Sequence, residues 1–120
     1  MARLAMARKS KYRVAIIGAG RIGCGFDTLG STLVLTHAHA VAENSRLELS
    51  AIVDIDPVRG RREAKRWRTV FFDDIDRMHS EVKPDIVIIA TPDATHAGML
   101  ERVARLHPEL VICEKPIATN

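Results

Sequence analysis

Four short stretches carry residue types that can do chemistry. GAGRIG sets Gly18, Gly20 and Gly23 in a G-x-G-x-x-G spacing, and IVDIDP puts Asp54 directly after an apolar run. ATPDATH follows a second apolar run with Thr91, Pro92 and His96, and VICEKP ends a third with Glu114 and Lys115. The glycine spacing suits a pyrophosphate. Gly18 permits a tight turn, Gly20 lets backbone N–H groups approach the phosphates, and Gly23 lets a helix pack closely on a strand. The positive end of the helix dipole then faces the anion. Asp54 can accept hydrogen bonds from a ribose, and its charge opposes a 2′-phosphate, which favours NAD over NADP. Arg59, Arg61 and Arg62 follow closely and soften that choice. The plainer alternative is a glycine turn that only joins strand to helix, with Asp54 capping the next turn.

The other two stretches suit a reacting carbon. A lysine at the end of a strand can hold a substrate hydroxyl or share in proton transfer, and a neighbouring acid can tune it. A surface ion pair of little energetic worth is the competing reading. Pro92 keeps the residue before it extended, and Thr95 suits the N-cap of a following helix. His96 is then either a site residue or a solvent-facing residue of the first turn.

The elements that must position these residues are legible as alternating patterns. YRVAIIG, LELSAIV, TVFF, DIVIIAT and LVIC are β-branched or apolar runs of strand length. Helical patterns lie between them, around HAHAVAEN and over PVRGRREAKRW, DDIDRMHSEV and THAGMLERVARLH. Pro57 suits a first helical position, and Pro108 follows the last helix as a stop. Alternation of this kind predicts an α/β fold, a doubly wound parallel sheet of Rossmann type. Five strands in the order 3-2-1-4-5 are expected. In such sheets ligands bind beyond the carboxyl ends of the strands, where all four stretches fall. CGFDTLGSTLVLT, residues 24–36, reads as an insertion after the glycine turn, close enough to the cofactor to help select substrate.

Composition bounds the partners. The chain has 120 residues, 47% apolar and 28% charged, which suits one globular domain. A net charge of +3 is too mild, and the aromatic residues too scattered, for a nucleic-acid partner to be expected. No apolar run approaches the ~18–20 residues of a membrane span, so no membrane partner is expected either. Cys24 and Cys113 form no metal-binding array, and a reducing, cytoplasmic setting follows by default. Cys24 lies where a helix dipole could lower its thiol pKa, although packing is the simpler role. His37 and His39 form an H-x-H pair that could bind metal on a strand, but no third ligand is evident. The basic stretch GRREAKRWR reads as the solvated outer face of a helix. Residues 1–11 read as a basic disordered tail, and 12–120 as the folded domain.

Taken in order, VAIIGAGRIG, VDIDP, PDIVIIATPDATHAGML and VICEKPIATN resemble the N-terminal half of the glucose–fructose oxidoreductase / inositol dehydrogenase family. The resemblance covers roughly residues 12–120, and the EKP element with the preceding ATP-x-x-x-H is its most specific part. It implies that Gly18, Gly20 and Gly23 hold the pyrophosphate of NAD or NADP, with Arg21 and Ile22 giving backbone contacts. It implies Asp54 on the ribose, and Thr91, Pro92 and His96 beside the nicotinamide. Glu114 would contact the cofactor and Lys115 would bind or polarise the reacting alcohol of a sugar, cyclitol or related polyol. The family's C-terminal substrate domain is not expected within these 120 residues. The chain is therefore expected to be a cofactor-binding fragment of a larger oxidoreductase, inactive alone, and to self-associate as a homo-oligomer through the apolar edge at LVIC. A non-catalytic nucleotide-sensing module of the same fold is the alternative.

Overall fold

A computed structural model describes residues 10–25, 27–30, 36–91 and 96–113, with the backbone alone for Arg21, Ile22, His96 and Ala97. Five strands form one parallel sheet in the order β3-β2-β1-β4-β5. They are β1 (Tyr12–Ile17), β2 (Leu47–Val53), β3 (Phe71–Phe72), β4 (Ile86–Ile89) and β5 (Leu110–Cys113). The helices are α1 (His37–Glu43), α2 (Pro57–Arg66), α3 (Ile75–Val82) and α4 (His96–Ala104). The expected fold class, strand count and strand order are those observed. Residues 1–9 of the predicted tail lie outside the described residues.

Both faces of the sheet are buried, which is why the central strands read as continuous apolar runs rather than alternating ones. Val14, Ile16, Ile52 and Ile88 point to one face, where Ala38 and Val41 of α1, Ala64 of α2 and the adjoining Trp67 cover them. Ala15, Ile17, Val53, Val87 and Ile89 point to the other, under Ile75 and Met78 of α3 and Val103 of α4. Each such aliphatic side chain contributes about 1.5–3 kcal/mol by burial.

The run LELSAIV changes phase halfway. Leu47 and Leu49 share a face with Ile52, three residues further on rather than two. A register shift between Val14 and Ala15 of β1 accommodates this, since Val14 pairs with Leu49 and Ala15 with Ala51. Ser50 is the extra residue of the bulge. Without it, Ala51 and Val53 would swap faces with Ile52.

Local signals set the helix ends. The Asp56 carboxylate accepts from the Val58 and Arg59 amides and Pro57 opens the first turn of α2. Asp74 caps α3 through the Arg77 amide, and Lys83 closes that helix in the left-handed region. One expectation changes. The glycine turn does not lead into an α-helix but into a five-residue π-helical turn, Arg21–Gly25. There the Cys24 and Gly25 amides share the Gly20 carbonyl, at 2.9 Å each. The regular helix begins only at His37, beyond the inserted segment.

Candidate functional site

The carboxyl ends of β1, β2 and β4 converge on the glycine turn. The Gly18 amide donates to the Val53 carbonyl at 2.8 Å, and the Ala90 amide donates to the Ile17 carbonyl at 2.8 Å. Gly18 has φ 103°. A β-carbon there would run into the Ala90 carbonyl oxygen at 2.7 Å and the Thr91 amide at 3.0 Å. A β-carbon on Gly23 would collide with the Gly18 carbonyl. These two glycines are demanded by packing within the protein. Gly20 differs, because a β-carbon there would meet nothing within 4 Å.

A cavity of about 300 Å³ opens beside Gly20, lined on the turn side by Ala19 and Gly25 and on the α2 side by Arg59, Arg62, Glu63 and Arg66. The α2 residues follow from helical spacing, since positions 59, 62, 63 and 66 share one face. In GRREAKRWR, Arg61, Arg62, Lys65 and Arg68 are solvent-exposed as expected, and Glu63 is the charge that turns inward. Glu63 is buried, and its carboxylate accepts from Arg66 Nη1 at 2.7 Å and from Arg62 Nε at 3.3 Å. Gly60 is buried too, because Phe71 of β3 lies where its side chain would be.

Asp54 stands at the end of β2 and braces the turn. Its Oδ2 accepts from the Ala19 amide at 2.9 Å and from Arg59 Nε at 2.8 Å. Its Oδ1 accepts from the Asp56 amide at 2.9 Å and from Arg59 Nη2 at 2.9 Å. The side chain is 1% exposed, against 40% for Arg59. Burial pushes this carboxyl up, but Arg59 and the amides of Asp56 and Ala19 outweigh it and hold it below its ordinary value. The carboxylate is therefore ionised and internally satisfied, and the group presented to solvent at the end of β2 is a guanidinium.

At the end of β4, the buried Thr91 Oγ1 has no hydrogen-bond partner among the described residues. A buried orphan hydroxyl is costly unless a ligand or water meets it. An unobstructed glycine, a cationic rim and an orphan donor together fit a dinucleotide lying across the strand ends.

Of the predicted site residues, the structure brings Gly18, Gly20, Gly23, Asp54 and Thr91 to this one end of the sheet. Arg21 and Ile22 lie in the π-helical turn, and His96 is the first residue of α4. Pro92, Glu114 and Lys115, together with Thr95, lie outside the described residues. Cys24 is wholly buried, and its thiol is pushed up to about 12 by burial and by the charges of Glu63 and Asp54, so no dipole lowers it. His37 and His39 stand on a helix, not a strand, and no group of three metal-ligating side chains occurs among the described residues. Arg66, Glu63 and Trp67 were missed as site neighbours. The signal was the 59, 62, 66 arginine spacing, which fixes a shared face but not its direction.

A parallel sheet with a glycine turn and a braced acid at its carboxyl ends defines a dinucleotide-binding domain. Residues 12–120 match the model of the Gfo/Idh/MocA oxidoreductases, an oxidoreductase family with an NAD-binding Rossmann fold. The chain belongs to that family, as its motifs indicated. It is 35% identical over 109 residues to inositol 2-dehydrogenase of Rhizobium meliloti strain 1021, covering 88% of this chain and 28% of that protein. A myo-inositol dehydrogenase from Corynebacterium glutamicum superposes with TM-score 0.68 at 29% identity, over 89% of this chain and 28% of that one. The WlbA dehydrogenase from Bordetella pertussis, solved with NADH and UDP-GlcNAcA, gives TM-score 0.72 at 27% identity, over 92% and 29%. The chain thus spans under a third of the relatives it matches.

Proposed function

We propose that this chain is the cofactor-binding domain of a dehydrogenase acting on the CH–OH group of a cyclitol, sugar or related polyol, with NAD as cofactor and NADP also accepted. The observation that carries the reading is the difference among the glycines. Of the three in the motif, two are required by the protein's own packing, and the third, Gly20, faces open space beside a cationic rim. The cofactor, when bound, accepts or donates a hydride at the substrate carbon. The chain's own residues bind and orient it. Gly18, Gly20 and Gly23 shape the turn, and the amides of Arg21 and Ile22 face the phosphates. Asp54 fixes the turn and, with Arg59, meets the ribose. Thr91 Oγ1 gains its missing partner, and Pro92 and His96 complete the nicotinamide side. Glu114 contacts the cofactor, while Lys115 holds and polarises the substrate hydroxyl. The relatives named for inositol, and the one solved with a UDP-sugar, support the substrate class.

By themselves, these residues are expected to bind the cofactor. No described helix is long and apolar enough to cross a membrane, and two free cysteines suit a reducing cytoplasm. Leu110 and Ile112 of the edge strand β5 are exposed on the face that α1 and α2 leave uncovered, which favours a homo-oligomer. Light scattering should show mass rising with concentration, and Ile112→Lys should reverse it. A monomer at every concentration would sink that part.

The decisive experiment is calorimetric titration of NAD and NADP into the wild type and Gly20→Ala. The variant should keep the wild-type melting temperature and lose on the order of tenfold or more in affinity, about 1.4 kcal/mol. If neither dinucleotide binds the wild type at millimolar concentration, the reading is wrong.

A further inference from the structure

His39 lies on α1, wholly buried, between two carboxylates. Its Nδ1 is 2.8 Å from Asp27 Oδ2, and its Nε2 is 3.2 Å from Glu43 Oε1. Both partners are acceptors, so only an imidazolium, with a proton on each nitrogen, satisfies them together. Asp27 belongs to the segment that follows the glycine turn. Its other oxygen accepts from Thr36 Oγ1 at 2.6 Å, and Thr36 Oγ1 accepts in turn from the His39 amide at 3.1 Å. The inserted segment is thereby fastened at both ends to the first turn of α1.

Two links run from this cluster to the dinucleotide site. The His39 ring packs on Trp67 at 5.6 Å between centroids. Trp67 Nε1 donates to the Cys24 carbonyl at 2.9 Å, inside the turn that follows Gly20. Arg66 Nη2 donates to the Asp27 carbonyl at 2.9 Å, while its Nη1 holds Glu63 in the cavity wall. Among the described residues, the charged groups on the ring are Asp27 from the inserted segment and Glu43 from its own helix, with Arg66 and Glu63 of α2 linked to them through the Asp27 carbonyl. His37 shares the helix, and the Cys24 thiol stays neutral.

We propose that His39 is a protonation-dependent positioning residue for the dinucleotide site: as imidazolium it pins Asp27 and Glu43, and through Trp67 and Arg66 it fixes the turn after Gly20 and the α2 wall. Loss of one proton breaks one of the two ring–carboxylate hydrogen bonds and loosens that frame. The hydrogen bond and charge of Asp27, aided by Glu43, hold the ring above its ordinary value against the opposing effect of burial. The pinned state thus persists to higher pH than the ring's ordinary value would allow, and gives way as pH rises through the folded value. The inference rests on the dinucleotide reading only for its consequence for affinity.

The test follows the chain alone by NMR across pH, recording the His39 ring, the Cys24 and Gly25 amides and the indole N–H of Trp67, the sole tryptophan. NAD affinity is measured on both sides of the midpoint. The turn signals should shift with the midpoint of the ring, and affinity should fall on the order of fivefold as pH rises through it, the low end of coupling between sites. His39→Gln should flatten both profiles. Glu43→Gln, at a side chain 60% exposed, should leave the fold intact and lower the midpoint. Turn signals that stay still while the ring titrates, or a midpoint unmoved by Glu43→Gln, would overturn the proposal. Turn signals that follow the ring in a protein that binds NAD at no pH would uphold the positioning role and remove the dinucleotide reading instead.

Discussion

Two buried aspartates flank the glycine turn, and they are held by different cations. Asp54 is bound by Arg59 and Asp27 by His39, and their side chains are 1% and 2% exposed. Each is also tied to a neighbouring polar group, Asp54 to two backbone amides and Asp27 to Thr36. The difference lies in what the partner can do. A guanidinium keeps its charge at every pH a protein survives, whereas an imidazolium gives its proton up. One brace is permanent and the other conditional. The permanent one sits directly under the glycine turn. The conditional one fastens a segment whose absence would still leave a complete sheet.

Removing the acids should separate the two cases most clearly. Asp54→Ala leaves Arg59 without its carboxylate and the Ala19 and Asp56 amides without acceptors. Arg59 is 40% exposed and regains water, but each of the two orphaned amides costs about 1–3 kcal/mol. Asp27→Ala should cost less, about 1–3 kcal/mol, because His39 can discharge and keep one hydrogen bond to Glu43. Urea denaturation at neutral pH measures both. Equal losses would erase the distinction between the braces.

The pH dependence of stability should show the same asymmetry with smaller amplitude. The folded Asp54 carboxyl lies below its unfolded value. Its contribution is present above about pH 3.9 and is lost as pH falls through the folded value. The folded His39 lies above its unfolded value. Its contribution is complete below about pH 6.5 and is lost as pH rises through the folded value. Asp54→Asn should therefore flatten only the acid limb of a stability profile, and His39→Gln only the alkaline limb. A His39→Gln protein with an unchanged alkaline limb would show that the pinned state is not protonation-dependent.

The two braces were unequally legible in the sequence. Everything carried by local pattern could be read: five β-branched runs, the glycine spacing, Pro57 after Asp56, and Asp54 at the end of its strand. Neighbours a few residues apart fix those features. The Asp27–His39 pair could not be read, since it depends on how an irregular segment returns to a helix. The same holds for Trp67 and Cys24, which are far apart in sequence and meet only once α2 docks on the sheet. Glu63 looked like one charge among many on a basic helix. Its burial follows from the direction in which α2 packs, which Gly60 against Phe71 sets. Even Asp54 was half understood, because strand order gave its place but not its bidentate partner.

That partner carries the finest distinction, the choice of cofactor. An acid at the end of the second strand favours NAD when its oxygens are free to meet the ribose hydroxyls. Here Arg59 occupies one position on each oxygen and stands 40% exposed at the rim, with Arg62 one turn further along α2. A 2′-phosphate would meet a cation before it met the carboxylate. Arg59→Ala removes that cation and frees two acceptor positions on Asp54, while the Ala19 and Asp56 amides still hold the carboxylate in place. Charge-assisted hydrogen bonds contribute about 1.5–3 kcal/mol. NADP affinity should therefore fall on the order of tenfold, and NAD affinity should hold or rise. Titrating both dinucleotides into the wild type and the variant reads the ratio directly. If both affinities fall together, Arg59 serves only to hold Asp54 in place, and the carboxylate never faces the ribose at all.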